Sequence, residues 1–248
     1  MRSSRPEALL AEWQALGLPF AARPRLLRAL PGGQTNQSWL VEADGARWVL
    51  RRDAANAAAL GIDRARERRI HARAAAAGLA PAIRHADPAH GLLISAYVDG
   101  RHAAPASLSA SERTQLFALL RGVHALALAD ETPRDYRAYC AAYRPGRALD
   151  PVLAALIERI AARAAVACTH HDVVPGNVLF TGRSAMLIDW EYAARGWPLL
   201  DWAALAAEWG LPAADVAAAA GLAPGELADG RALYAAICAL WSEVATAG

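Results

Sequence analysis

The sequence predicts an α+β chain, with an antiparallel sheet and one helix in its first half and a mostly helical second half. Three observations carry this. Two apolar segments in "SWLVEADGARWVLRR" flank Asp44-Gly45, a dipeptide suited to a tight hairpin turn. Helical stripes with capping signals dominate after residue 100. The chain has 248 residues, 55% of them hydrophobic, enough for one large domain or two small lobes with a substantial core.

Each element has its own signal. In the hairpin, Trp39 and Val41 alternate with polar neighbours, whereas Trp48 to Leu50 is a continuous run that suits burial on both faces. An Arg/Glu-rich helix is expected from Ile62 to Ala77, stopped by Gly78 and Pro81. "GLLISAYVDG" reads as a strand entering a turn at Asp99-Gly100, and the boundary between a first lobe (1–98) and a second (99–248) is expected here. Ser109 and Glu112 form a capping box ahead of Leu116, Leu119, Leu120 and Val123. Asp150-Pro151 caps a helix carrying Leu153, Leu156, Ile157 and Ile160. Leu233, Ile237, Leu240, Trp241 and Val244 mark a last helix. Short strands are expected at Val178 to Phe180 and Met186 to Ile188, joined around Thr181-Gly182.

Composition removes several function classes. The net charge is only +2, which gives no general attraction to nucleic acid or acidic membranes. All 26 basic residues are Arg, so any phosphate site must use Arg. Three widely spaced cysteines predict neither a disulfide framework nor a zinc knuckle, and fit a reducing, cytoplasmic setting. Glu7, Glu12 and Gln14 interrupt the N-terminal apolar stretch, so no signal peptide is expected. The Ala-rich runs break well short of the roughly 20 residues a membrane span requires.

The chemistry concentrates in "THHDVVPGNVLF" and "MLIDWEYA". Magnesium prefers oxygen ligands, usually one or two carboxylates with water and substrate phosphates. Asn177 leads into one short strand and Asp189 leaves the other, so the two strands bring such oxygens together. Asp172 then faces a substrate hydroxyl, orienting it and accepting its proton. This set suits phosphoryl transfer, which depends mainly on positioning and charge neutralisation.

"HHDVVPGN" matches the H-x-D-x-x-x-x-N catalytic loop of protein-kinase-like folds. With "LIDWEYA" it resembles the aminoglycoside phosphotransferase and choline/thiamine kinase superfamily, from about Leu30 to Asp201. The resemblance implies a bilobal protein-kinase-like fold and an ATP- and Mg²⁺-dependent kinase of a small hydroxyl compound. Choline, thiamine, ethanolamine or a similar amino alcohol leads, with an aminoglycoside as the alternative. By resemblance, Gly32, Gly33, Gln34, Thr35 and Asn36 belong to the phosphate loop, although G-x-G-x-x-G is lacking. Arg51 stands where protein kinases carry a phosphate-binding Lys, and Glu67 is the candidate to hold it. Ser95, Ala96, Tyr97 and Val98 fall where backbone groups meet adenine. His170 and Asp201 support the catalytic loop. Asp201 follows Asp189 by only 12 residues, too few for a peptide-receiving segment, which favours a small acceptor.

Competing readings stay open at this point. Asp172, Pro175, Gly176 and Asn177 are also turn residues. Arg51 also reads as a solvated strand residue, Glu67 as half of a surface pair, and His171 as exposed. Glu191 is either a ligand for a metal or cationic substrate, or a solvated acid. Trp197, Trp209 and Trp241 suggest an aromatic cage for a quaternary ammonium, against ordinary core packing. A metal hydrolase built on His170, His171 and Asp172, and a nucleotide-binding pseudokinase, are the alternatives from other classes.

Overall fold

The computed structural model describes residues 6–31 and 36–245. Its contacts divide the chain into two units, Met1–Ala57 with Pro81–Asp99, and Ala58–Ala80 with Gly100–Gly248. The helix after residue 62 belongs with the second unit.

The first unit is one antiparallel sheet and a short helix, α1 (Pro6–Ala11). Its strands are β1 (Arg25–Leu30), β2 (Gln37–Ala43), β3 (Ala46–Arg52), β4 (Ile83–Asp87) and β5 (Leu92–Ala96), in the order β1-β2-β3-β5-β4. The β2–β3 turn is Asp44-Gly45, with φ of 52° and 72°. Positive φ at both central residues matches the right-handed twist of a two-residue hairpin. Trp39 pairs with Leu50, which pairs with Ile94. This row spans three strands and packs with Leu9, Leu10, Leu16 and Phe20. Trp48 and Val49 are only half-buried, unlike Leu50. The run is therefore not uniformly buried: burial rises along β3, from Trp48 and Val49 to Leu50 and Arg51. The edge strands β1 and β4 have no clean apolar alternation.

The second unit holds the larger core. Helix α2 (Arg64–Ala76) is capped by Asp63, whose carboxylate accepts the Arg66 N–H, and Gly78 closes it at φ 74°. It joins this unit through its own side chains. Ile70 and Ala74 enter the core, His71 stacks on Trp190, and Arg69 pairs with Glu131 at 2.7 Å. Helices α3 (Ala110–His124), α4 (Tyr136–Ala142) and α5 (Pro151–Ala161) follow. The Ser109–Glu112 capping box is fully formed, and Asp150 caps α5 through the N–H groups of Val152 and Leu153. Next come β6 (Ala167–Thr169), the hairpin β7 (Val178–Phe180) and β8 (Ala185–Leu187), and β9 (Ala194–Gly196), which pairs with β6. Helices α6 (Leu199–Glu208), α7 (Ala213–Ala220) and α8 (Pro224–Ala245) complete the unit. No helix among the described residues is long and apolar enough to cross a membrane.

Two features of α8 make predictions. A Cβ on Gly230 would lie 2.7 Å from Leu199 Cγ, so Gly is needed where α6 and α8 approach. Gly230→Ala is expected to destabilise the chain by about 1–3 kcal/mol through overpacking, although Ala is the better helix former. Urea unfolding measures this. Asp229 pairs with Arg159 at 2.8 Å and also with Arg163, which holds its carboxyl down to about 2. A lowered carboxyl stabilises the fold above its unfolded pKa and loses that contribution as pH falls through the folded one. The stability gap between wild type and Asp229→Asn should therefore narrow between about pH 4 and pH 2.

Candidate active site

The catalytic segment starts where β6 ends. His171 has a left-handed backbone, with φ 68°. That turn points two adjacent N–H groups the same way, and one carboxylate meets both. Asp201, in the first turn of α6, accepts from His170 N at 2.9 Å and His171 N at 2.8 Å. His124 Nε2 lies 3.0 Å from the same carboxylate, which is fully buried. A buried charge is tolerated when hydrogen bonds surround it.

The His171 ring is also held, so it is not the exposed histidine expected. Its Nδ1 lies 3.2 Å from Thr169 O, and its Nε2 lies 2.6 Å from the Tyr136 hydroxyl. That hydroxyl in turn accepts the Trp197 N–H at 2.9 Å. Burial, with Arg134 nearby, keeps His171 well below its ordinary pKa. Burial also pushes His170 down to about 4, so the ring is neutral. Its Nε2 sits 3.2 Å from Ile188 O.

Asp172 comes next. Its Oδ2 accepts from Asn177 Nδ2 at 2.6 Å, and its carbonyl accepts from the same amide at 3.1 Å. Burial pushes the Asp172 carboxyl up to about 6 against the pull of Asn177, with Glu191, Glu208 and Asp201 adding to the rise. The carboxylate can only accept, so it fixes Nδ2 inward and leaves Oδ1 as the outward end of Asn177. Ile188 N donates to Asn177 O at 2.9 Å. Asp189 is the next residue, with φ 58°. The loop and the Asp189 segment are thus joined through both polar groups of Ile188. Asn177 and Asp189 present oxygen donors alone, which fits a magnesium ion completed by water and phosphate. Among the described residues, no three His, Cys, Asp or Glu side chains cluster as a metal site.

A model of the family described as "Phosphotransferase enzyme family" matches residues 26–237. The chain belongs to that family. That family is one of phosphotransferase enzymes. The chain's fold is similar to that of a choline/ethanolamine kinase family protein from Mesorhizobium loti, at 23% identity and TM-score 0.69 over 96% of this chain and 84% of that one. It is similar to choline kinase LicA from Streptococcus pneumoniae, at 19% identity and TM-score 0.75 over 98% and 91%. LicA has also been solved in complex with AMP. A third likeness is to the GDP and kanamycin complex of APH(2")-IIia, at 14% identity and TM-score 0.64 over 94% and 89%. At these identities the likeness establishes the protein-kinase-like fold. No curated protein sequence matches the phosphotransferase significantly.

The remaining sequence-predicted residues fall as follows. Gly32, Gly33, Gln34 and Thr35 lie outside the described residues. Asn36 is buried, and its Oδ1 accepts the Ala54 N–H at 3.2 Å. Arg51 is buried rather than solvated and pairs with Asp53 at 2.8 Å. Glu67 is fully buried, not a surface acid, and pairs with Arg64 at 2.9 Å and Arg68 at 3.0 Å. Glu191 is buried against Arg64 at 3.0 Å, which removes the solvated-acid reading. Ser95 sits within the β3–β5–β4 ladder, and the Ala96 and Tyr97 N–H groups bond to Ala82 O and Arg47 O. Val98 lies beyond those bonds.

The tryptophans are mainly structural. Trp209 is a core residue whose Nε1 donates to Val173 O at 2.8 Å, so it anchors the catalytic loop instead of forming a cage. Trp197 is buried, with its ring stacked on Tyr136 at 4.0 Å. Trp241 is half-buried and donates to the Tyr192 hydroxyl at 2.6 Å. The family match sets the hydrolase reading aside, and both nitrogens of the His171 ring are already bonded, to Thr169 O and the Tyr136 hydroxyl. Tyr136 and His124 were missed by sequence reasoning, since both reach the loop from distant helices with no local signal.

The Asp201 bonds yield a prediction. Asp201→Asn leaves one oxygen for two N–H groups and turns a donor toward donors. It is expected to cost on the order of 3 kcal/mol and to lower turnover. Chemical unfolding and a turnover assay check this, and unchanged values in both would show that the loop does not depend on Asp201.

Proposed function

We propose that this phosphotransferase moves the γ-phosphoryl group of ATP to the hydroxyl of a small cationic amino alcohol, such as choline, ethanolamine or thiamine. The observation that carries the proposal is the linkage of Asp172, Asn177 and Asp189 through one amide pair and the Ile188 N–H. Asp172 is the catalytic base: its carboxylate orients the acceptor hydroxyl and takes its proton at Oδ1 or Oδ2. A buried carboxyl pushed up to about 6 suits that task near neutral pH. Asn177 and Asp189 would hold Mg²⁺, which when bound neutralises phosphate charge. Arg51, Asn36 and the phosphate-loop residues are proposed for the triphosphate, and the Val98 backbone for adenine. Glu67 is proposed to orient Arg51.

The surroundings of Asp172 support a cationic acceptor. Burial raises the Asp172 carboxyl and the Tyr192 and Tyr234 hydroxyls; Glu191 and Glu208 add to the rise at Asp172, and Asp172 adds a little at both tyrosines. Tyr234 donates to Glu208 at 3.1 Å. Acid and aromatic groups together suit an ammonium group. The same acidity suits a larger polyamine, so an aminoglycoside is the second reading. The three cysteine thiols are free, in keeping with a cytoplasmic enzyme.

The test is ADP release with ATP and Mg²⁺ across amino alcohols, thiamine, sugars and aminoglycosides. An amino alcohol should give the highest kcat/KM. Asp172→Asn should keep nucleotide binding and lose at least about 100-fold in kcat, within the usual range for a general base. Asp189→Ala should instead lose Mg²⁺-dependent nucleotide affinity. Nucleotide binding without transfer to any acceptor would favour the pseudokinase, and wild-type rates in both variants would refute the site.

A further inference from the structure

Helix α2 grips the segment that follows Asp189. Arg66 Nε donates to Ala193 O at 3.1 Å, and the His71 and Trp190 rings stack with centroids 6.3 Å apart. Between these contacts lies an ionic one. Arg64 Nη1 is 2.9 Å from Glu67 Oε2 and 3.0 Å from Glu191 Oε2. The Arg64 side chain is 12% exposed, while those of Glu67 and Glu191 are 0% and 3% exposed.

Two buried carboxylates on separate elements repel each other and lose hydration. One guanidinium between them turns that repulsion into a link, with the single Nη1 meeting one oxygen of each carboxylate. Glu191 stands two residues after Asp189, so whatever fixes Glu191 also fixes the backbone that carries Asp189.

We infer that Arg64 is a positioning residue: by bridging Glu67 and Glu191 it tethers the Asp189 segment to α2, and so sets metal affinity without touching metal or substrate. Glu191 serves in this arrangement as the tether's other end, not as a metal ligand. The inference rests on the phosphotransfer reading for the role of Asp189, but its primary readout needs no acceptor.

The experiment titrates Mg²⁺ in nucleotide binding by calorimetry for wild type, Arg64→Met, Glu191→Gln and the double variant. Thermal melts identify the folded variants. Each single variant should raise the half-saturating Mg²⁺ concentration about tenfold. The double variant should be no worse than the weaker single one, because interacting residues are not additive. Arg64→Lys should recover part of the loss. Multiplying shifts in the double variant, or an unchanged Mg²⁺ requirement in folded Glu191→Gln, overturn the tether. If Arg64→Met does not fold, Glu191→Gln decides the question alone. A tenfold shift in a chain that transfers phosphate to no acceptor supports the tether and refutes the proposed function. Turnover by wild type with no shift in the variants does the reverse.

Discussion

The carboxylate of Asp201 is the constraint on which the site depends. Its two oxygens take consecutive backbone N–H groups, from His170 and His171. In an extended chain consecutive N–H groups point to opposite sides. They face the same way here because His171 is left-handed, a conformation that costs a non-glycine residue about 1–2 kcal/mol. The carboxylate offsets that cost with charge-assisted bonds. The Tyr136 hydroxyl and Thr169 carbonyl then occupy the ring nitrogens, so neither side chain nor backbone of His171 can turn. Gly196 belongs to the same arrangement, since a Cβ there would lie 2.5 Å from the Tyr136 hydroxyl.

From that fixed turn the geometry propagates through Ile188. Its carbonyl meets His170, and its N–H meets the carbonyl of Asn177. Residues on both sides of the Asp172 loop therefore hold the two peptide groups that flank the Ile188 Cα, and Asp189 follows the second. The β7–β8 pairing extends this bond, with Val178 opposite Leu187. Sub-ångström positioning is what phosphoryl transfer asks of a protein, because little covalent chemistry remains for it to do. Two bonds through one residue supply it more rigidly than loops that merely approach each other.

This division between local bonds and distant ones explains what was legible in the sequence. The hairpin at Asp44-Gly45, the Ser109–Glu112 box and the Asp150 cap are written in residues close together, and each appears as read. The spacing of Asp172, Asn177 and Asp189 was legible because a short hairpin joins them. Strands β1 and β4 were not, since half-buried edge strands show no sharp alternation. Nor was the fate of Glu191, whose partner Arg64 lies 127 residues earlier. The placement of α2 with the second unit follows from His71, Arg66 and Arg69, whose partners a local pattern does not reveal. Tryptophan was ambiguous in sequence, since an aromatic cage and ordinary core packing were both open, and Trp209 is a core residue that uses its single donor to anchor Val173.

The electrostatics follow from the same assignments. Three acids, Glu191, Glu208 and Asp201, act on Asp172. Asp201 is satisfied by N–H groups and His124, and Glu191 by Arg64. Among the described residues, Asp172 receives the neutral amide of Asn177, and Glu208 the neutral hydroxyl of Tyr234. Glu208 also ends α6, where the helix dipole is itself negative. The acids that build the frame are therefore met by positive or donor groups, while negative potential is left around Asp172. Such a potential attracts cations, which is the ground on which a cationic acceptor is proposed.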